Sequence, residues 1–504
     1  MIVPRPTRLR FRAGRFAFGP TTALRATPGA EPAALLLRRY LRPATGLPLP
    51  LSANGTVLLA LDERLVGLGD EGYALTVSEQ AVLLRARRIA GLLHGVQTIR
   101  QLLPVEALSD TPVRGVAWTL PCVDVADSPR VPWRGAMLDV ARHFQPVGFL
   151  RRFVDLLALH KLTVLHLHLT DDQGWRMPVA AYPKLTEIGG LRSATMLGPA
   201  GSDRFDDVPH GGAYTAADLR GLVDHAAERG VRIVPEIEMP GHARAALAAY
   251  PWLGNRPERR LPVWTEWGIS PAVFGVDDGT LEFCRTVLGE VLDVFPGSYV
   301  HVGGDECPST EWAASPVALE RVAREGLPGP HALRSWFLNR IGAFLLDNGR
   351  VPVCWDSGAD GPDGGPSLDP RTVVMPWRDS ATGPLERGHL VVLTPYRSTY
   401  LDYPQSTDPD ERAGQPGEVV TMSDVYHQPV PADPAVLGSQ CQLWTEQAPR
   451  AEDVEYLAFP RLCALADALW STTPDWAAFG AALAVHERRL AALSVAHRSL
   501  TTTS

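Results

Sequence analysis

The feature that most constrains the fold is an alternation of strand-like and helix-like segments that begins at Arg134. The predicted strands are Ala136–Val140, Val164–Leu169, Arg232–Ile237, Tyr299–Val302, Val351–Trp355, Thr372–Met375, Leu390–Thr394 and Gly438–Leu443. The predicted helices, which have helical apolar spacing, are Val147–His160, Ala216–Arg229, Leu281–Phe295 and Ala332–Asn348. Strands that alternate with helices pair in parallel, and eight of them over about 350 residues predict an α/β fold of the (β/α)8, or TIM, barrel type.

The segment before the barrel has a different pattern. Thr56–Leu61 and Tyr73–Val77 are strand-like, and Ala90–Leu103 has helical apolar spacing and ends before Pro104. Asp124–Pro132 is rich in turn-forming residues and predicts a link. We therefore expect a small α+β domain over residues 1–131, followed by a barrel domain over residues 132–504.

Length and composition narrow the classes of function. The 504 residues are 45% apolar and 21% charged, which is typical of a globular protein, and the net charge of −8 argues against non-specific binding to nucleic acid. No run of about 20 apolar residues predicts a membrane span. The N-terminus lacks the basic and apolar regions of a signal peptide, so we expect a cytoplasmic protein. The six cysteines fit no zinc spacing and are predicted to be free thiols.

Side chains capable of chemistry follow every predicted barrel strand. In barrels of this class the active site lies at the C-terminal ends of the strands. Acidic, aromatic or arginine residues at all eight ends favour a carbohydrate ligand, because charged groups form strong hydrogen bonds with hydroxyls. The residues that carry this argument are Arg142, Asp171, His242, Asp305, Glu306, Trp355, Trp377, Tyr400, Asp402, Trp444 and Glu446.

Asp305 and Glu306 are informative because they are adjacent. They end the segment His301-Val-Gly-Gly-Asp-Glu306, which follows the fourth predicted strand. The acid and nucleophile of most retaining glycosidases lie about 5–5.5 Å apart on opposite sides of the bond, whereas neighbouring side chains on a strand point in opposite directions. Unequal roles are therefore expected, with Glu306 as proton donor and Asp305 as an orienting group. The two preceding glycines would permit a sharp turn.

Several separated segments, in the same order along the chain, resemble the family 20 glycoside hydrolases, which are β-N-acetylhexosaminidases. They are Arg134–Phe144, Leu165–Arg176, Pro235–His242, His301–Glu306, Tyr400–Asp402 and Leu443–Glu446. The resemblance extends over nearly the whole chain and includes the small domain before the barrel.

The resemblance implies an exo-acting, retaining β-N-acetylhexosaminidase (EC 3.2.1.52) that removes terminal β-linked GlcNAc or GalNAc from the non-reducing end. In this family the substrate's own 2-acetamido oxygen attacks C1 and gives an oxazolinium intermediate, an exception to the two-carboxylate scheme. Glu306 would then be the acid/base, Asp305 would orient the acetamido N–H, and Tyr400 would donate to its oxygen.

The same resemblance implies roles for the remaining residues. Arg142 and Glu446 would bind hydroxyls of the terminal sugar, as would Asp402, and Asp171 and His242 would support the acid. Trp355, Trp377 and Trp444 would line the acetamido pocket. It implies no metal and no cofactor, and the expected partner is a small oligosaccharide or glycoconjugate, as in the breakdown of chitin, without nucleic acid or membrane.

Some features depart from the family pattern or leave alternatives open. Trp355-Asp-Ser357 stands where many relatives have Trp-Asp-Glu, and the chain after Tyr400 lacks the outer tryptophan of some members. Trp264 and Trp267 lie in an insertion, residues 251–276, which either covers the mouth or packs internally.

Two rival functions also stay open from the sequence. His166 and His168 form an His-x-His pair that could instead serve a metal-dependent hydrolase. A sugar-binding barrel without catalysis is the other rival. The preference for GlcNAc or GalNAc, the natural aglycone and the oligomeric state are undetermined.

Overall fold

The computed structural model describes residues 1–356, 365–378 and 380–500, so Ser357 lies outside the described residues. Its strands are β1 (Arg8–Ala17), β2 (Leu24–Ala26), β3 (Val57–Leu61), β4 (Tyr73–Val77), β5 (Val82–Ala86), β6 (Thr119–Asp127), β7 (Trp133–Asp139), β8 (Val164–His168), β9 (Thr170–Asp171), β10 (Gly174–Trp175), β11 (Leu191–Arg192), β12 (His210–Gly211), β13 (Arg232–Glu236), β14 (Tyr299–His301), β15 (Val351–Trp355), β16 (Val373–Met375), β17 (Val391–Leu393) and β18 (Val436–Leu443).

The helices connect and cover these strands. They are α1 (Glu31–Thr45), α2 (Ile89–Leu102), α3 (Val147–Leu159), α4 (Lys184–Glu187), α5 (Ala216–Ala227), α6 (Arg244–Ala249), α7 (Asp278–Val294), α8 (Thr310–Ala314), α9 (Pro316–Glu325), α10 (Leu333–Asp347), α11 (Thr382–Glu386), α12 (Tyr396–Thr399), α13 (Met422–His427), α14 (Ala451–Ala458), α15 (Arg461–Trp470) and α16 (Trp476–Ala492). Within the described ranges, no helix is both long and apolar enough to cross a bilayer.

The N-terminal region folds as a six-stranded mixed sheet in the order β1-β6-β4-β5-β3-β2, with α1 and α2 packed on one face. One part of the sequence prediction is wrong here. Asp124–Asp127 belongs to strand β6, which pairs with both β1 and β4, and only residues 128–132 form the link. The alternating buried and half-buried residues of this strand outweigh its turn-forming composition.

The second region is a closed barrel of eight parallel strands in the order β13-β14-β15-β16-β17-β18-β7-β8. The predicted fold class is confirmed, and each predicted barrel strand coincides with an observed one to within a few residues. Buried side chains fill the barrel interior, and the apolar ones among them are Trp133, Val164, Val234, Val353, Trp355, Val373, Met375 and Val392. The interior is therefore a packed core, and the space for a ligand lies above it, at the C-terminal ends of the strands.

A buried ion pair joins the two regions. Lys161, on the barrel, donates to Asp127 of β6 at 2.8 Å, and both side chains are fully buried. Asp127 also accepts from Tyr73 at 2.7 Å and from the Trp470 indole at 2.8 Å. Since breaking a buried pair leaves an uncompensated charge, these contacts fix the sheet against the barrel.

The cysteines follow the sequence prediction. All six are free thiols, and five are buried, the exception being the half-buried Cys307.

Candidate active site

The eleven candidate residues lie at or just beyond the C-terminal ends of barrel strands. Asp305 and Glu306 follow β14, Arg142 follows β7, and His242 follows β13. Asp171 forms part of the short strand β9 after β8. The others follow or end four further strands: Trp355 ends β15, Trp377 follows β16, Tyr400 and Asp402 follow β17, and Trp444 and Glu446 follow β18.

The turn that carries the acidic pair has unusual backbone geometry. Gly303, Gly304 and Glu306 all have positive φ, of 65°, 93° and 43°. A Cβ on Gly303 would lie 1.8 Å from Oε2 of Glu238, so only glycine fits at this position. The predicted sharp turn is thus present, and it directs two adjacent carboxyl groups to one place.

The two carboxyl groups have different surroundings. The Asp305 side chain is 12% exposed and that of Glu306 is 27% exposed. Among the described residues, no group hydrogen-bonds the buried Oδ1 of Asp305. Burial alone would raise the pKa of Asp305, but the adjacent His242 lowers it overall, so Asp305 is ionised. Glu306 is the more accessible of the two.

His242 connects the pair to the barrel wall. Its Nε2 lies 3.6 Å from Asp305 Oδ2 and 3.6 Å from Glu306 Oε2. Its Nδ1 lies 3.1 Å from Asp171 and 3.2 Å from Asp172. Burial alone would lower the pKa of His242, but the surrounding aspartates, led by Asp171, raise it well above its usual value. His242 is therefore a fixed cation beneath the pair.

Arg142 lies beside Asp171, which also contacts His242. It contacts Asp171 at 2.9 Å, Asp139 at 3.3 Å and Glu446 at 3.9 Å, and its Nε donates to Gln173 at 2.9 Å. A guanidinium anchored by several acceptors is pre-organised for a further hydrogen bond to a hydroxyl.

Four aromatic rings form a continuous surface beside these groups. Trp377 stacks on Tyr400 with centroids 6.3 Å apart, and Trp444 lies 6.1 Å from Tyr400 and 6.0 Å from Trp355. Burial, together with the charges of Asp305 and Asp402, raises the pKa of Tyr400 well above its usual value. Its phenol is therefore a neutral donor at the edge of an apolar pocket.

Two further carboxyl groups, those of Asp402 and Glu446, lie near Arg142. Burial, followed by the charge of Glu446, raises the pKa of Asp402 well above its usual value. Burial also raises the pKa of Glu446, although Arg142 opposes the shift. No described residue hydrogen-bonds the buried Oδ1 of Asp402. Such groups are suited to exchanging hydrogen bonds with a polyhydroxylated ligand.

The insertion over residues 251–276 packs beside this mouth. Trp264 is 8% exposed and Trp267 is 4% exposed, so both are buried. The carbonyl of Glu266 accepts from the side chain of Gln173, which in turn binds Arg142. The insertion therefore packs internally and contacts the Arg142 wall through Gln173, while a cover over the mouth stays a prediction.

The structure adds residues that the sequence analysis did not assign to the site. Asp139, Gln173 and Glu238 contact the site residues described above, and Glu236 lies directly beneath them. Each is at or near the end of a predicted strand, so the same rule could have found them.

The His-x-His pair, His166 and His168, lies beside Glu236 beneath the site. His166 Nε2 lies 3.0 Å from Glu236, and His168 contacts both Glu236 and Asp171. Glu236 and Asp171 thus account for one nitrogen of His166 and both nitrogens of His168. A metal ligand set is not needed to explain them.

Comparison with known proteins places this geometry in a family. Residues 131–473 match the model of the glycosyl hydrolase family 20 catalytic domain, and residues 1–128 match the model of glycosyl hydrolase family 20, domain 2. A β-hexosaminidase from Porphyromonas gingivalis is 34% identical over 487 residues, which cover 93% of this chain and 60% of that protein. The chain thus spans less than two thirds of this relative.

Two solved structures are similar along the whole chain. Streptomyces plicatus N-acetyl-β-hexosaminidase, in complex with Thio-NAglucal, has a TM-score of 0.85 and 32% identity, and the match covers 100% of this chain and 97% of that one. The exo-β-N-acetylglucosaminidase from Vibrio harveyi, in complex with N-acetylglucosamine, has a TM-score of 0.86 and 30% identity, covering 99% and 78%.

Proposed function

The chain belongs to glycosyl hydrolase family 20, and on this premise we propose that it is an exo-acting β-N-acetylhexosaminidase that works by substrate assistance. The substrate would be a small oligosaccharide or glycoconjugate that ends in β-linked N-acetylhexosamine. The observation that carries the proposal is the contrast within the acidic pair: Asp305 is a buried anion whose Oδ1 has no hydrogen-bond partner among the described residues, whereas Glu306 is more accessible.

Asp305 activates the nucleophile in this proposal. Its Oδ1 accepts the acetamido N–H of the substrate, which turns the amide oxygen toward C1. As that oxygen attacks, positive charge develops on the amide, and the carboxylate stabilises it in a site from which water is excluded. Tyr400, a neutral phenol, donates to the amide oxygen and fixes its direction.

In this proposal Glu306 is the general acid and then the general base. It protonates the glycosidic oxygen as the bond to the aglycone breaks, and it later removes a proton from the water that opens the oxazolinium ion. Net retention follows because C1 is attacked twice, first by the amide oxygen and then by water from the opposite face. His242, at 3.6 Å, stabilises the carboxylate form of Glu306 between the two steps.

We attribute the proposed specificity for a terminal sugar to the residues that line the pocket. Trp355, Trp377 and Trp444 surround the acetamido group, and Arg142 with Asp402 and Glu446 binds hydroxyls at the far side of the ring. In this proposal these groups close the far end, with the insertion over residues 251–276 joined to them through the hydrogen bond from Gln173 to Glu266, so that one sugar residue fits before the glycosidic bond. The Vibrio harveyi relative, which binds N-acetylglucosamine, supports this class of ligand.

The test uses an aryl β-N-acetylglucosaminide, the matching β-glucoside and a thiazoline mimic of the oxazolinium ion. We expect hydrolysis of the N-acetyl sugar alone, competitive inhibition by the thiazoline, and a loss of about 100-fold or more in Asp305→Asn. Equal hydrolysis of the glucoside, or no inhibition by the thiazoline, would refute substrate assistance. Binding without release of the aryl alcohol would favour the non-catalytic sugar-binding alternative.

A further inference from the structure

One fully buried carboxylate lies under the candidate site, where it accepts hydrogen bonds from His168 and Trp355 and has a nitrogen of His166 and of His301 close to its oxygens. The Glu236 side chain has no exposed surface. His168 Nδ1 donates to its Oε2, and His166 Nε2 lies 3.0 Å from the same atom. His301 Nδ1 lies 2.8 Å from Oε1, and the Trp355 indole donates to Oε1 at 2.7 Å.

The arrangement follows from the barrel register. Glu236 pairs with His168 of β8 on one side and with His301 of β14 on the other. Side chains in register on neighbouring parallel strands point to the same side of the sheet. Three strands therefore place one anion and two imidazoles in a single layer of the barrel interior, directly below the site.

The protonation of the imidazoles is fixed by their other contacts. The Gln440 amide donates to His166 Nδ1 at 3.0 Å, so His166 Nε2 carries the proton that faces Glu236. Burial lowers the pKa of His166 to about 4, so it is neutral. Burial would also lower the pKa of His168, but Glu236 and Asp171 on its two nitrogens raise it to about 10. His168 is thus a cation held between two anions.

Three of these four side chains lead to parts of the candidate site. His168 donates through Nε2 to Asp171 at 2.9 Å, and Asp171 contacts both Arg142 and His242. His301 Nδ1 accepts from the backbone N–H of Gly303 at 3.0 Å, where the turn to the acidic pair begins. Trp355 faces Trp444 in the aromatic surface.

We infer that Glu236 is a positioning residue that holds three parts of the site in one geometry. Through His168 it positions Asp171, which supports the acid. Through His301 it positions the turn at Gly303, and through Trp355 it positions the floor of the aromatic pocket. This inference deepens the proposed function and rests on it. Glu236 touches no reacting atom and acts through these three neighbouring side chains alone.

Replacement of Glu236 by glutamine distinguishes a role in positioning the site from a role in the stability of the fold alone. Glutamine keeps the size of the side chain but replaces one acceptor oxygen with an NH2 group, which cannot accept from either His168 or Trp355, so part of the layer must reorganise. Because a displacement of about 1 Å at a reacting group can cost 100-fold in rate, we expect kcat/KM to fall about 100-fold. The fall should be larger for aryl glycosides with poor leaving groups, since the acid is among the displaced parts.

The matched control is Glu455→Gln. Glu455 is also a buried glutamate, which pairs with Arg152 and accepts from the backbone of Ala496, but it lies on α14, away from the site. A general loss of stability would reduce the activity of both variants by a factor that does not depend on the leaving group. His168→Gln provides a second test, because it interrupts only the connection from Glu236 through His168 to Asp171 and leaves those through His301 and Trp355, so it should show the same dependence on leaving group with a smaller loss.

A measurement that does not use activity accompanies the kinetics. In ¹⁵N-labelled protein at pH 8, one doubly protonated imidazole, assigned by its disappearance in His168→Gln, should become neutral in Glu236→Gln. This result would stand even if the wild type failed to hydrolyse N-acetylhexosaminides, which would refute the proposed function alone. The inference is overturned if folded Glu236→Gln keeps kcat/KM within about threefold of wild type, if its loss is equal for all leaving groups, or if it unfolds under conditions in which Glu455→Gln remains folded.

Discussion

Substitution of Gly303 by alanine should inactivate the site, because the new methyl group would displace either the turn that carries Asp305 and Glu306 or the side chain of Glu238. The new Cβ would lie 1.8 Å from Glu238 Oε2, while ordinary contact begins at 3.4 Å. The carboxyl group or the turn must therefore move by about 1.6 Å. Because Asp305 and Glu306 follow within three residues, we expect a loss of about 100-fold in kcat/KM toward an aryl N-acetylglucosaminide.

The stability change has two parts that a control can separate. Alanine at a φ of 65° costs about 1–2 kcal/mol from backbone strain, and the overlap with Glu238 adds about 1–3 kcal/mol. Gly326 has a φ of 63°, ends helix α9, and has open space where its Cβ would lie. Gly326→Ala should therefore show the strain alone, with unchanged activity.

The assay combines steady-state kinetics with denaturation of both variants and of Gly303→Ala combined with Glu238→Ala. The double variant removes the overlapping atoms and should recover part of the stability. The reasoning is refuted if Gly303→Ala retains activity within about threefold of wild type, or if its stability loss equals that of Gly326→Ala.

Three further outcomes are expected. Asp127→Asn should lower the free energy of unfolding by about 3–5 kcal/mol, because it leaves Lys161 buried without its anion, and a cycle with Lys161→Met should show strong coupling in denaturation experiments. The raised pKa of His168, about 10, contributes stability that is complete below its ordinary value of 6.5 and is lost as pH rises toward 10, so the alkaline decline in unfolding free energy should be shallower in His168→Gln. Glu306→Gln should lower turnover by orders of magnitude for poor leaving groups but much less for activated aryl glycosides, and equal losses would argue against an acid role.

The sequence predicted the barrel, and it selected the residues of the candidate site, because both depend on local signals. Apolar runs of strand length fixed the positions of the barrel strands, and the rule that active sites lie at strand C-termini selected Arg142, Asp171 and Glu306 without knowledge of their contacts. The Gly303-Gly304 turn was predictable because glycine is the residue that readily adopts positive φ.

The remaining parts depend on contacts between distant segments. Glu236, His168 and His301 are separated by dozens of residues and meet only through the barrel register, so the His-x-His pair was open to interpretation as metal ligands. The strand over Asp124–Asp127 was missed because its pairing with β1 and β4 outweighs local turn propensity. The link from Glu266 through Gln173 to Arg142 also joins separate loops and leaves no local pattern.

The central claim is that Asp305 makes the substrate's own amide the nucleophile. The most direct measurement compares aryl β-glycosides whose N-acetyl group carries zero, one, two or three fluorine atoms. Fluorine withdraws electron density from the amide oxygen, so we predict that log(kcat/KM) falls steeply and steadily with each fluorine in the wild type. Rates that are independent of fluorination would contradict the account, because they would mean that a group of the enzyme, and not the acetamido oxygen, attacks C1.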